Sequence, residues 1–198
     1  MKVLIACEFS GIVRAAFATR GHDAWSCDFL STEIPGNHYQ GDVLDILNDW
    51  SIIGGKADIL IGHPVCTRRC NSGVRWLKNN PERMNLLIQD DIFFNTLWYA
   101  DVDKICLENP IPHRYTSVVN YTQIIQPWQF GHGETKATCL WLKGLPKLQP
   151  TNIVNGRIPR VHLEPPSINR WKNRSRTLTG IAAAMAQQWG YEKSISKI

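Results

Sequence analysis

The sequence predicts an α/β domain, a Rossmann-like three-layer sandwich around a mainly parallel central sheet. Three observations lead there. The chain opens as strand, tight turn, helix and strand, and the second strand ends on the acidic Asp28. The run Ala57 to Gly62 (ADILIG) is apolar without alternation, which suits a parallel strand covered on both faces. Polar and reactive residues collect just after the apolar runs, where open α/β sheets place their ligand sites.

Each element follows from local chemistry. Val3 to Cys7 is a short apolar run with a β-branched start, broken by Glu8-Phe9-Ser10-Gly11. Ile12 to Arg20 carries apolar residues at helical spacing (Ile12, Ala15, Ala16, Phe17), and Gly21 stops it. His22 to Cys27 reads as the second strand, and Gly41-Asp42-Val43 leads into a short helix reaching Trp50. ADILIG delivers the chain to His63-Pro64-Val65-Cys66. Pro81-Glu82 opens a long helix with Met84, Leu87, Ile88, Phe94 and Leu97 as its apolar residues. Lys104 to Leu107 is a buried strand ending at Glu108-Asn109-Pro110. Gln123 to Phe130 and Lys136 to Leu142 read as two further strands, and Gly180 to Trp189 as a last helix closed by Gly190. Between about 143 and 177 periodicity disappears and Pro, Asn and Arg accumulate. That stretch reads as a loop-rich basic excursion from one domain spanning residues 1–198.

The bulk numbers narrow the classes. A chain of 198 residues buries one good core. With 43% apolar and 20% charged residues it is not a disordered protein. No apolar run approaches the length that spans a bilayer, and MKVLIACEF is too short for a secretory leader. A cytoplasmic location (the host cytoplasm for a phage-encoded chain) with reduced cysteines is therefore expected. A net charge of +5 permits an acidic partner without demanding one. Its distribution says more: Arg157, Arg160, Arg170, Lys172, Arg174 and Arg176 cluster with Trp171, and Arg68, Arg69 and Arg75 follow Cys66.

Cys66, on a strand-to-loop turn among arginines, is a candidate nucleophile, since positive charge favours the reactive thiolate. Glu108, at the end of a neighbouring strand, can act as acid or hydrogen-bond partner if burial raises its pKa. The spacing His63-x-x-Cys66-x-x-x-Cys70, completed by Cys106, His113 or His132, also suits a tetrahedral zinc. No second close pair accompanies it, so no metal is expected. His22, His38 and His162 show no partner pattern and read as surface or loop histidines. Trp128 and Trp141 read as strand packing, and Cys7, Cys106 and Cys139 as buried strand residues. Arg75 and Trp76 are placed to form a lid beside Cys66.

Several motifs recur in a fixed order along nearly the whole chain: Phe9-Ser10-Gly11, Asp28, Gly41-Asp42-Val43, Pro64-Val65-Cys66, Glu108-Asn109-Pro110, Glu134-x-Lys136-x-Thr138 after Phe130-Gly131, and Thr179-Gly180-Ile181. This ordered set resembles the cytosine-C5 methyltransferases, more closely a small phage- and prophage-type branch of them. The resemblance implies a class I methyltransferase-type fold, S-adenosylmethionine as cofactor, and methyl transfer to C5 of cytosine through a covalent Cys66 adduct. It implies cofactor contacts from Phe9, Ser10, Gly11 and Pro64, with Asp28 on the ribose and Asp42 facing the adenine. Cys66 is then the nucleophile, Glu108 its partner on the ring, and Asn109 a support for the Cys66 loop. Lys136, Thr138, Arg174 and Arg176 are the candidates for the substrate, with nucleic acid, DNA foremost, as partner.

Three departures stand out. Val65 replaces the family's middle proline, and Lys136 is one positive charge where two arginines are usual. The interval between Leu142 and Thr179 is too short for the family's recognition domain. The same chemistry on RNA or a free cytosine nucleotide therefore stays open, as does a non-catalytic binding or inhibitor protein. A homodimer or a partner could supply the missing recognition.

Overall fold

The computed structural model describes residues 1–77 and 79–191. Its strands are β1 (Lys2–Ala6), β2 (Asp23–Asp28), β3 (His38–Gln40), β4 (Ile59–Gly62), β5 (Lys104–Pro110), β6 (Gln123–Ile125) and β7 (Thr138–Lys143). The helices are α1 (Ile12–Ala18), α2 (Val43–Asn48), α3 (Asn71–Val74), α4 (Pro81–Trp98), α5 (Arg160–Leu163), α6 (Arg170–Ser175) and α7 (Thr179–Trp189). One sheet holds all seven strands in the order β3-β2-β1-β4-β5-β7-β6. β1 to β5 pair in parallel, whereas β7 runs antiparallel to both β5 and β6.

Alternate residues of each central strand feed two different cores, which is why these strands read as unbroken apolar runs. On one face Val3, Ile5, Ile59, Ile61 and Cys106 pack against Val13 and Phe17 of α1 and Ile181 and Met185 of α7. On the other, Leu4, Ala6, Leu60, Ile105 and Leu107 pack against Ile46 of α2 and Phe94 and Leu97 of α4. The three-layer α/β sandwich expected from the sequence is the fold observed.

Four local differences have identifiable causes. β5 continues past Leu107 to Pro110, because β7 keeps pairing with it (Glu108 with Leu140, Asn109 with Cys139) after β4 has ended. β6 stops at Ile125 rather than Phe130. Pro127 has no N–H to give a ladder, so Pro127–Gln129 turns as a 3-10 helix, capped by the Gln126 and Gln129 side chains. Trp128 thereby leaves the sheet and lies under the Arg157 guanidinium at 4.0 Å. The three-residue β3 is too short to announce itself, and it makes His38 a strand residue. Both His38 ring nitrogens are hydrogen-bonded, Nδ1 to Ser26 Oγ and Nε2 to Leu30 O, each at 2.9 Å. Among the described residues no helix is long and apolar enough to cross a membrane.

Candidate active site

The site is a product of sheet register. Ala6 of β1 lies beside Gly62 of β4, and Gly62 lies beside Leu107 of β5. One residue further along, the same register sets Cys7, His63 and Glu108 abreast at the carboxyl edge. Ile61 and Cys106 belong to the core under α1 and α7. Two residues on, with a side-chain period of two, His63 and Glu108 point to that same side. They meet there: His63 Nδ1 lies 2.8 Å from Glu108 Oε2. The sequence reading offered His63 only as a metal ligand. Aligning ILIG with the following apolar run KICL in parallel register would have found the pair.

The loop carrying Cys66 is bonded on every side. Asn109 donates from Nδ2 to Pro64 O at 2.8 Å and accepts from Arg69 Nη1 at 3.2 Å. Arg69 is 1% exposed, donates to Asp91 Oδ1 of α4 at 3.0 Å, and lies 4.0 Å over the Phe94 ring. The amides of Arg69 and Cys70 donate to Cys66 O at 3.0 and 3.2 Å. His113 Nε2 closes the ring of contacts on Arg68 O at 2.7 Å. Val65, where the resemblance wants proline, is 48% exposed and takes no part in this bracing.

The electrostatics differ from the sequence expectation at both reactive groups. The arginines after Cys66 are engaged elsewhere: Arg68 makes two bonds to Asp90, Arg69 pairs with Asp91, and Arg75 lies over Trp76. Burial pushes the Cys66 thiol up to about 11, the charges of Cys70 and Glu108 add to this, and Lys136 opposes it. Glu108 was expected to be raised by burial. Burial does act in that direction, but the hydrogen bond from His63 and the charges of Lys136 and His63, with a hydrogen bond from Thr177, outweigh it. The carboxyl is held at about 2. For His63, burial acts to lower the pKa, yet the hydrogen bond and charge of Glu108, with Glu8 behind, carry it above its ordinary value against Lys136.

In the turn after β1, Gly11 takes a left-handed φ of 71° at the start of α1. A Cβ there would sit 2.5 Å from the Arg14 guanidinium. The same turn buries Glu8, whose carboxylate accepts from the amides of Val13 at 2.6 Å and Arg14 at 3.2 Å and from the Ser10 hydroxyl at 3.2 Å. In dinucleotide-binding sheets this helix start receives a pyrophosphate. Here the Glu8 carboxylate already occupies it and takes the Val13 and Arg14 amides. Phe9 stacks against Trp171 at 5.9 Å, with Lys172 and Arg176 each 5.7 Å from its ring. Asp28 accepts from the Leu30 amide at 3.0 Å, beside Phe29, which is 71% exposed. Asp42 caps α2 through the Leu44 amide at 3.0 Å.

One cavity of about 110 Å³ joins the turn after β1 to the Cys66 loop. Cys66, Glu108, Asn109, Pro64 and Lys136 line it together with Phe9, Ser10, Arg174 and Arg176. Gly11, Asp28, Asp42 and Thr138 lie outside its lining. Thr138 is buried in β7, its hydroxyl donating to Lys136 O at 3.0 Å. Six lining residues were not among the sequence candidates for the site: Cys7, Glu8, His63, Pro110, Ser175 and Thr177. The segment 174–177 forms the roof, tied down by Arg176 donating to both Glu33 oxygens at 2.8 and 2.6 Å. Small-molecule sites usually enclose roughly 300 to 1,000 Å³, so the cavity under this roof is smaller than that range. Among the described residues no three His, Cys, Asp or Glu side chains are placed to hold a metal ion.

No family model and no curated protein matches the sequence. Among solved structures, the chain is similar to a prophage-encoded E. coli protein described as a DNA modification methyltransferase. Identity is 14% and the TM-score 0.51, over 85% of this chain and 56% of that one. It is also similar to the Entamoeba histolytica methyltransferase EhMeth (16% identity, TM-score 0.46, 78% of this chain and 57% of that one). The S. pombe Dnmt2 methyltransferase gives 13%, 0.45, 82% and 54%. The chain thus spans little more than half the length of the proteins it matches. With its strand order, its antiparallel β7 and this likeness, the chain has the class I methyltransferase-type α/β fold.

Proposed function

We propose that the protein transfers a methyl group from S-adenosylmethionine to C5 of cytosine in nucleic acid, DNA foremost. The observation carrying this reading is that Cys66 and Glu108 share one cavity with the Phe9-Ser10 turn. A thiol and a carboxylate facing one pocket suit this chemistry better than hydride or phosphoryl transfer. The fold likeness and the motif order point the same way.

Bound S-adenosylmethionine supplies an electrophilic methyl group on a positively charged sulfur. Phe9, Ser10 and Pro64 would hold it from the cavity, with Asp28 for its ribose and Asp42 for its adenine. Cys66 adds to C6 of the base as the thiolate, and C5 becomes nucleophilic. Because the resting thiol lies at about 11, positive charge must build beside Cys66 before it reacts. Lys136 provides the part of that charge built into the chain. Glu108 binds N3 and the exocyclic amine, and Asn109 holds the Cys66 loop through Pro64. Loss of the C5 proton then expels Cys66. A base in a duplex has to leave the stack to reach so enclosed a pocket. Residues 1–198 act as one catalytic domain, and Arg174 and Arg176 in the basic stretch 143–177 meet the substrate phosphate.

The test is a covalent trap. Protein, S-adenosylmethionine and 5-fluorocytosine-containing DNA, single- or double-stranded, should give a mass-shifted adduct on Cys66, while Cys66→Ala gives none and still binds cofactor. Cofactor binding without an adduct would move the substrate to RNA or a free nucleotide. No cofactor binding at all would remove methyl transfer from consideration.

A further inference from the structure

We infer that His63 is the proton partner of Glu108: the two side chains carry one shared proton into the substrate complex, and that proton passes to N3 of cytosine as Cys66 adds to C6. This rests on the proposed methyl transfer and adds to it a residue outside the motif set that suggested it. The pair is made by the sheet itself, Nδ1 to Oε2 at 2.8 Å, and both residues line the reactive cavity. His63 Nε2 is buried without a hydrogen-bond partner among the described residues, so Glu108 is the single side chain that fixes the ring.

The need for such a partner follows from charge. Addition of a thiolate to C6 places electron density on N3, which must take a proton. Glu108 alone is held ionised and has none to give. The groups facing His63 are Glu108 on β5, Glu8 on the turn after β1, Lys136 before β7, Cys66 on its own loop, and Arg174, Arg176 and Thr177 in the roof. Of these the two carboxylates favour the imidazolium and Lys136 opposes it, with a net rise. The step balances. Cys66 gives its own proton to solvent and forms the S–C6 bond. Glu108 takes the Nδ1 proton of His63 and passes that same proton to N3, leaving Glu108 as carboxylate and His63 as neutral imidazole protonated at Nε2. When the C5 proton leaves to water and Cys66 is expelled, N3 returns its proton and the pair is reset.

The test has two arms. In the first, NMR titration of the His63 ring in the intact protein should place its midpoint above the ordinary histidine value, and Glu108→Gln should lower it. A midpoint at or below about 6.5 overturns the shared proton. The second arm follows hydrogen exchange at cytosine C5 without cofactor. The wild-type rate should climb tenfold per pH unit, as thiolate forms, and level off at the His63 midpoint found by NMR. His63→Gln should lower the rate by roughly 10²- to 10⁴-fold, the range of general acid catalysis, and its profile should climb without that break. The same break in both proteins, or a wild-type break elsewhere than the NMR midpoint, makes His63 structural and overturns the proposal. The wild-type profile and titration decide the matter even if the variant fails to fold. If no cytosine substrate exchanges while the NMR arm holds, the methyl-transfer chemistry fails and the pair remains a structural ion pair.

Discussion

The state of the Cys66 thiol can be probed without any substrate. Its pKa of about 11, against 9.0 for a free thiol, disfavours the folded-state thiolate by about 3 kcal/mol. At pH 7.5 the two-unit shift leaves about 100-fold less thiolate. A more basic thiolate is also a better nucleophile, and a Brønsted slope of about 0.4 to 0.5 returns roughly 6- to 10-fold. Carbamidomethylation of Cys66 in the native protein should therefore run about 10- to 20-fold slower than in the same chain in urea, before any loss from restricted access. Peptide mass mapping at successive pH values separates Cys66 from Cys70 and should show the native rate still rising tenfold per unit beyond pH 9. Two variants should move it in opposite directions at constant geometry. Lys136→Met removes the opposing positive charge and slows alkylation, while Glu108→Gln removes a like charge and speeds it. A native rate that levels off below pH 9 would refute this account of the site, since Cys66 would then be ionised cheaply by charge not accounted for.

Other expectations follow from the same geometry. Arg69→Met strands Asp91 among α4 and the Cys66 loop, and urea denaturation should show a loss of about 3 to 5 kcal/mol; a loss under 1 kcal/mol would mean Asp91 is neutralised otherwise. The Glu108 carboxyl, lowered from 4.5 to about 2, contributes stability that is present above its unfolded value and lost as pH falls towards 2, about 3 kcal/mol in all. Melting temperatures between pH 4.5 and 2 should accordingly fall less steeply for Glu108→Gln than for wild type. Gly11→Ala forces an L side chain into left-handed backbone against Arg14, and thermal unfolding should report a cost of about 1 to 2 kcal/mol. Glu33→Gln weakens the tie that holds Arg176 over the cavity. The pair is partly exposed, so about a 2- to 5-fold faster cofactor on-rate is expected, followed by Trp171 fluorescence in stopped flow. An unchanged on-rate would place the barrier to entry elsewhere than the roof.

The order of elements and their covering by helices on both faces were legible in the sequence, because the signals are local. ADILIG and KICL lack alternation, Gly21 and Gly190 follow helical runs, and Pro81 sits in the first turn of α4. Cys66 and Glu108 could be nominated for the same reason: each follows an apolar run, and strand ends are where such sheets bind. The Gln126-Pro127 turn was legible in principle, since a proline without an N–H marks the end of a ladder, but the apolar residues around it hid the signal.

What the tertiary structure alone decided is who stands beside whom. That His63 bonds Glu108 depends on β4 and β5 pairing in one register, forty-five residues apart. That Arg68 and Arg69 turn away from Cys66 depends on Asp90 and Asp91 arriving from α4. The lowered Glu108 pKa comes from such distant neighbours, whereas the raised Cys66 pKa comes first from burial. Local sequence sets backbone propensity and burial pattern over a few residues, whereas a pKa is set by charges within several ångströms, and in a parallel sheet those charges come from other strands and helices.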